Sequence, residues 1–171
     1  VRYSFFSESG LIAVGVEDVC AWTPPISLAA QIPNATSGWG TILCDTYVNG
    51  NLVSTNTCAF QLTVPASVVP SISNVAFSEA TSGIADRFGG YVRTRSKLSV
   101  SITATGAQGS SISSYRTSID GVTYSGSSFT TNALNTAGNL TMTVTVTDSR
   151  GRTASTARTV TVLDYLPPSL S

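Results

Sequence analysis

The side chains that most often perform catalysis are scarce and scattered in this chain. It contains no histidine, which removes the Ser-His-Asp triad, the Cys-His dyad and most zinc sites. Its nine carboxylates are mostly isolated in sequence, whereas a glycosidase needs two that face each other across a cleft. The adjacent pair Glu17-Asp18 would point to opposite faces of a strand. We therefore predict a protein that is not an enzyme and that has no catalytic residue, metal site or cofactor.

Two turn-rich segments resemble ligand-binding loops only superficially. Residues 83–90 are rich in glycine but lack the lysine and the spacing of a phosphate-binding loop, so we interpret them as a long loop. Residues 148–151, Asp-Ser-Arg-Gly, offer too few oxygen donors for a calcium loop. A hairpin turn explains that segment better.

The three cysteines lie in the first third of the chain, at Cys20, Cys44 and Cys58. An odd number argues against a complete disulfide framework. Cys44 and Cys58 occupy alternating strand patterns among apolar neighbours, which favours two small buried side chains. A Cys44–Cys58 bridge is the alternative. We expect folding in a reducing compartment.

Two aromatic residues are candidate contacts for a ligand or a partner. Trp39 lies between Gly38 and Gly40, and on an exposed loop it would stack on a sugar ring or anchor a protein. The favoured alternative is a Trp39 side chain that folds back over the edge of the small first unit. Tyr47 is the second candidate, in the same shallow aromatic site.

Charge is low and balanced. Nine basic and nine acidic residues give a formal net charge of zero, and without a clustered basic surface we exclude nucleic-acid binding. Arg93, Arg95 and Lys97 alternate in sequence, which predicts a small basic stripe on one strand face. The stripe would meet an acidic patch of a partner, although a simply solvated face is the favoured interpretation.

The hydrophobic pattern is that of strands. Leu140, Met142, Val144 and Val146 alternate with threonines, which is typical of a strand with one buried and one wet face. Tight hairpins are predicted at Asn49-Gly50 and at Asp120-Gly121. No apolar run approaches the roughly 20 residues that a membrane span needs.

These patterns predict an all-β chain of tandem immunoglobulin-like β-sandwich units with one short crossover helix near residues 26–32. The phrase Pro-Ser-Ile-Ser at residues 70–73 returns as Pro-Ser-Leu-Ser at residues 168–171, about 98 residues later, which is a normal size for one such sandwich. We therefore expect a small β-rich unit at 1–66, a candidate for truncation at its N terminus. A sandwich is expected at 67–166, and 167–171 would be a linker or the start of another repeat.

Two segments also carry a family resemblance. The run CAWTPPISLAAQIPNATSGWGTILCDTYVNGNLV, residues 20–53, resembles siphovirus tail-associated proteins of unknown function. The run at residues 91–126, YVRTRSKLSVSITATGAQGSSISSYRTSIDGVTYSG, together with VTVTDSRGRTAS and VLDYLPP, resembles immunoglobulin-like repeats of phage tail and baseplate proteins of Gram-positive hosts. These motifs consist of turns, prolines and strand residues, so they carry over no catalytic residue.

The resemblance implies a non-catalytic structural module of a bacteriophage tail, tail tip or tail fibre, which acts as a spacer and interaction surface. Its partners would be other virion tail proteins, and its location the virion, after assembly in the host cytoplasm. The alternative is an adhesin module that binds host cell-wall glycan. A third hypothesis is an accessory domain attached to a catalytic module elsewhere in the parent protein.

Overall fold

The computed structural model describes the backbone of residues 2–7 and residues 10–165 with their side chains. The chain divides into two compact units, Val1–Val68 and Val69–Ser171. Strands dominate both units, which confirms the all-β class. The predicted start of another repeat at 167–171 lies outside the described residues. No described helix is long and apolar enough to cross a bilayer.

The first unit contains one antiparallel sheet in the order β2-β1-β3-β4. Its strands are β1 (Arg2–Ser7), β2 (Gly10–Val16), β3 (Ser37–Val48) and β4 (Asn51–Thr63). The Asn49-Gly50 hairpin between β3 and β4 is as predicted, because both residues have positive φ, 53° and 83°. A short segment between β2 and β3 covers part of one sheet face, so this unit is a single covered sheet and only the second unit is a two-sheet sandwich.

That covering segment includes the predicted short helix, which is a 3₁₀-helix at Ile26–Gln31. It begins after Pro25, which has extended φ and ψ, and the first turn closes with a hydrogen bond from the Leu28 N–H to the Pro25 carbonyl at 3.1 Å. Two preceding prolines and a following Pro33 leave room for only two turns. The helix therefore depends on packing against the sheet.

The second unit is a sandwich of a three-stranded sheet, β10-β7-β5, and a five-stranded sheet, β6-β12-β11-β8-β9. Its strands are β5 (Ser71–Glu79), β6 (Tyr91–Val92), β7 (Leu98–Thr105), β8 (Ile112–Ile119), β9 (Val122–Ser125), β10 (Ser128–Thr130), β11 (Gly138–Asp148) and β12 (Thr153–Leu163). The strand predicted from the alternation of Leu140, Met142, Val144 and Val146 is β11. The run from residue 91 to residue 104 is two strands, because the chain turns at Thr94, where φ is 64°.

The core of this sandwich follows the sequence alternation. Met142, Val144 and Val146 on β11 are fully buried, and β7 and β12 contribute further buried aliphatic side chains. Outward polar side chains of β11 and β12 contact each other. The Thr145 and Ser155 hydroxyls lie 2.8 Å apart, and the Thr161 hydroxyl of β12 donates to the side-chain oxygen of Asn139 on β11 at 2.8 Å. The outward positions of β11 are therefore polar without being charged, while Arg116 on the neighbouring β8, opposite Thr145, adds a charge to the same face.

The glycine-rich segment that we interpreted as a loop contains a short α-helix, α1 (Ile84–Phe88). Gly83 and Gly89 flank it with left-handed φ of 75° and 67°, a conformation that glycine adopts at no steric cost. The loop interpretation is wrong for these five residues. The two glycines that made the segment look irregular are the ends of the helix.

The turn at residues 148–152 is held by buried polar groups. Asp148, 1% exposed, accepts hydrogen bonds from the Arg150 N–H at 3.0 Å, the Arg152 N–H at 2.9 Å and the Ser110 hydroxyl at 3.1 Å. Arg150 in turn donates to the carbonyls of Ala107 and Gln108, both at 2.6 Å. The predicted hairpin turn at residues 148–151 is therefore also a link between two loops of the sandwich.

The cysteine prediction is wrong in part. All three thiols are free, Cys44 is half-buried and Cys58 is exposed. Cys58 is opposite Ile42 and Cys44 is opposite Asn56 in the β3–β4 ladder, so the two thiols are diagonal neighbours without a bridge. Cys58 is exposed because β4 is an edge strand on which the side chains from residue 51 to residue 59 have no covering layer.

Candidate functional site

The described residues contain no metal-binding cluster, because no group of three His, Cys, Asp or Glu residues that could hold a metal occurs among them. Glu17 and Asp18 lie in an exposed bend after β2, where the sequence suggested strand positions. The two candidate surfaces of the first unit are aromatic and apolar.

Trp39 is the most exposed large side chain of β3. It lies within the strand opposite Gln61, and 75% of its surface is exposed. The prediction that Trp39 lies on a loop is wrong, and so is the alternative prediction that its indole folds back over the edge of the first unit.

The helix packs on the sheet beside Trp39, at the position of Gly38. A Cβ atom at Gly38 would lie 2.9 Å from Cγ2 of Ile32, so only glycine permits the observed approach. Trp22 and Phe60 pack edge to face with ring centroids 5.8 Å apart. Both rings are half-buried.

An apolar groove opens between this helix and the sheet. Its volume is about 260 Å³, slightly below the roughly 300–1,000 Å³ of typical small-molecule sites. No lining residue is charged; the lining includes Pro24, Leu28, Ile32, Phe60, Leu62 and Pro65. Such a groove can accept one apolar side chain or the apolar face of one sugar ring, and it offers no acid or base.

Trp39 is among the residues that line the groove, but its indole belongs to the other face of the sheet. Side chains alternate along a strand, and the Gly38 position faces Ile32, so the indole of Trp39 is directed to the opposite face. Thr41 and Leu43 follow Trp39 on β3, and Leu43 is 38% exposed. A flat aromatic ring beside the amide of Gln61 is a surface on which a sugar ring can stack.

Tyr47 does not join this surface. It is half-buried at the far end of β3, eight residues beyond Trp39, a separation of about 26 Å along the strand. Of the two aromatic residues that we predicted as alternatives for an exposed site, Trp39 is therefore the exposed one.

The prediction of a basic stripe on a strand face is wrong. Residues 93–95 form a turn after the two-residue strand β6, so Arg93 and Arg95 do not alternate along a strand face. Arg93 forms an ion pair with Asp164 at 3.1 Å. The Arg95 guanidinium lies 5.7 Å from the centroid of the Tyr165 ring, which itself packs edge to face on Phe88. These contacts tie α1, the turn and the end of β12 together.

One titrating group of the second unit is perturbed. Burial raises the pKa of the Tyr91 hydroxyl above its ordinary value of 10.0, and the nearby negative charge of Glu79 raises it further. Glu79 accepts hydrogen bonds from the N–H groups of Thr81 and Lys97, at 2.8 and 3.1 Å. The pair lies at the β5 end of the sandwich.

The groove could have been anticipated from the sequence, and the role of the arginines could not. A proline-bounded apolar helix followed by Gly-Trp-Gly signals an element that packs closely on a strand. The Arg95–Tyr165 contact joins residues far apart in sequence, and nothing local indicates it.

Comparison with known proteins gives one family and several structural likenesses. No curated protein is similar to this sequence at a significant level. A solved structure described as Clostridium thermocellum CbhA fibronectin(III)-like modules is similar at 16% identity and a TM-score of 0.43, covering 95% of this chain and 78% of that one. Residues 1–171 match the family described as siphovirus protein of unknown function (DUF859). Because the match spans the whole chain, we conclude that the protein belongs to this siphovirus family.

Proposed function

We propose that the protein is a non-catalytic structural module of a siphovirus tail, tail tip or tail fibre, where it acts as a spacer and an interaction surface. The observation that carries the proposal is the second unit, a closed sandwich whose outward β11 positions are threonines. Its partners would be other virion tail proteins, and it would be assembled in the host cytoplasm.

The sandwich suits a spacer because its two sheets enclose one continuous aliphatic core. Leu98 from the three-stranded sheet and Met142 and Val160 from the five-stranded sheet are at most 1% exposed. Interlocked side chains of this kind make a domain resist deformation. The hydroxyl-rich outward positions of β11 give many weak hydrogen-bonding groups without charge.

Immunogold electron microscopy of the intact phage tests the proposal. An antibody against the purified chain should label tails, with pre-immune serum as the control. Label confined to capsids, or a protein found in infected cells and missing from purified virions, would contradict it. A polysaccharide-degrading activity of the pure chain would contradict the non-catalytic part.

A second candidate function is binding of host cell-wall carbohydrate, and the exposure of Trp39 is the observation that favours it. Fluorescently labelled protein should bind host cells saturably, Trp39→Ala should abolish binding, and Trp39→Phe should retain part of it because a ring remains for stacking. Since Trp39 is 75% exposed, neither change should alter stability by more than about 0.5 kcal/mol. Binding that survives Trp39→Ala would remove this site.

A further inference from the structure

The strand β4 presents a free edge. Within the described part of the chain it pairs only with β3. The Val64 N–H donates to the Thr36 carbonyl at 2.8 Å. This pair continues the β3–β4 register, so it shows which residues of β4 direct their backbone groups toward β3. Even-numbered residues of β4 therefore turn their backbone groups toward β3. Odd-numbered residues from Thr55 to Gln61 turn their N–H and C=O groups outward, up to the register shift that leaves Val53 without a β3 partner.

This edge lacks the devices that natural sheets use against strand addition. Proteins usually protect edges with charges, prolines, bulges or short strands. The stretch Asn51–Thr63 is 13 residues long and contains no charge, proline or glycine, and its single register shift lies near the hairpin end. Leu52 and Val53 on it are 54% and 57% exposed.

Most other edges of the described residues are better protected. On the opposite edge of the same sheet, β2 carries Gly15 with φ of 67° and two register shifts against β1. In the second unit the edge strands β6, β9 and β10 have four residues or fewer. The fourth edge strand, β5, has one register shift near its start, as β4 has near its hairpin end, but it is shorter, at 9 residues against 13, and it ends in the charged Glu79. Among the described edge strands, β4 is therefore the longest and the only long one without a charge.

We propose that β4 pairs antiparallel with β4 of a second copy of this chain, about a two-fold axis through Thr57. The inference rests on the proposed function, because it names the partner of the interaction surface. An axis at Thr57 makes outward-facing residues meet outward-facing residues, as an antiparallel ladder requires. It also opposes Thr57 to Thr57, Thr55 to Ala59 and Leu52 to Leu62 of the other copy.

The strand favours its own copy over a charged partner. An uncharged strand opposed to itself creates no like-charge contact, and a symmetric dimer is the commonest closed assembly of identical chains. The nearest carboxylate, Asp45, lies one strand away on β3 and accepts a hydrogen bond from the Thr55 hydroxyl at 2.6 Å. It therefore stays clear of the new ladder.

The size of the contact is within the range of known interfaces. Three opposed pairs around the axis, Thr57–Thr57 and Thr55–Ala59 taken twice, would exchange about six backbone hydrogen bonds, two for each pair. A typical protein–protein interface carries roughly 5–15. The pairing would also cover the exposed edge of Leu52 and Val53.

The test is the oligomeric state of the full chain in solution, measured by analytical ultracentrifugation at micromolar concentrations. Thr57→Pro removes an outward N–H without touching the β3 ladder, and Thr57→Lys places two charges against each other at the axis. Both should weaken association by about tenfold or more. The matched control is Val14→Lys on β2, where the side chain is 64% exposed, and it should dimerise like the unaltered chain.

A monomeric unaltered chain would overturn the inference, as would a dimer that both Thr57 variants leave intact or that Val14→Lys disrupts equally. Tryptophan emission checks folding, and if Thr57→Pro does not fold, Thr57→Lys decides. A Thr57→Cys variant with Cys20, Cys44 and Cys58 changed to serine should cross-link to its copy on treatment with a short bifunctional maleimide, whereas Val14→Cys in that background should not. A monomer that still labels tails would refute only this inference, and a dimer absent from virions would refute only the proposed function.

Discussion

The carboxylate of Asp148 should be among the most important polar groups for the stability of the second unit. The change Asp148→Ala removes the acceptor of two N–H groups, those of Arg150 and Arg152, whereas the Ser110 hydroxyl can still donate to the Ala107 carbonyl at 2.9 Å. A buried donor that loses its partner costs about 1–3 kcal/mol. Because the turn can partly rehydrate, we expect a loss near the lower end of the sum for two donors, about 2–4 kcal/mol, against a total of about 5–15 kcal/mol for a domain.

A matched pair of variants separates the hydrogen bonds from the charge. Asp148→Asn keeps one oxygen for the two N–H groups that Oδ1 accepts, and its amide can donate to the Ser110 hydroxyl. We expect it to cost about 1–2 kcal/mol, since bonds to a charged acceptor are stronger than bonds to a neutral one. Asp86→Ala, at an exposed position of α1, is the control and should change stability by no more than about 0.5 kcal/mol.

Urea unfolding with two probes is the assay. Both tryptophans, Trp22 and Trp39, lie in the first unit, so their fluorescence reports on that unit while far-ultraviolet circular dichroism reports on both. Asp148→Ala should shift the dichroism transition of the second unit and leave the tryptophan transition in place. A loss below about 1 kcal/mol, the low end for one unsatisfied donor, or an Asn variant as unstable as the Ala variant, would refute the reasoning.

Three further predictions follow from the packing and the pKa. Met142→Ala removes a fully buried side chain and should cost about 2–5 kcal/mol in the same assay; a loss under about 1 kcal/mol would mean that the core there is not closed. Gly38→Ala places a Cβ against Ile32 and should destabilise the first unit by about 1–3 kcal/mol, which a shift in the tryptophan transition would show. Adding Ile32→Ala should recover part of the loss, and a double variant without any recovery would contradict the contact. The pKa of Tyr91 is raised in the folded chain, so the unfolded chain loses its proton first. Stability should therefore be undiminished below pH 10 and fall as the pH rises through the folded pKa. Tyr91→Phe should flatten that fall in urea titrations at alkaline pH, and an unchanged dependence of stability on pH would contradict the prediction.

Much of the second unit is readable from its residues. Strict alternation of aliphatic and hydroxyl residues specifies β11, because only a strand places every second side chain on one face. The two hairpin turns follow from Asn-Gly and Asp-Gly, which tolerate positive φ. Where prediction failed, the local pattern was ambiguous. The spacing of Arg93 and Arg95 fits a strand, but Thr94 adopts a left-handed turn that their neighbours do not signal.

The candidate site shows the same division. Gly38-Trp39-Gly40 marks a close packing position and an aromatic residue from the sequence alone, yet whether the indole is covered depends on where the 3₁₀-helix packs. The residues alone specify strands, turns, the short helix and the hydroxyl-rich face, because each depends on neighbours in the chain. Only the tertiary structure decides which strands lie at the sheet edges, which thiols are exposed and which charges are paired. Those properties depend on contacts between segments that are distant in sequence, and for that reason the free edge of β4 cannot be seen in its composition alone.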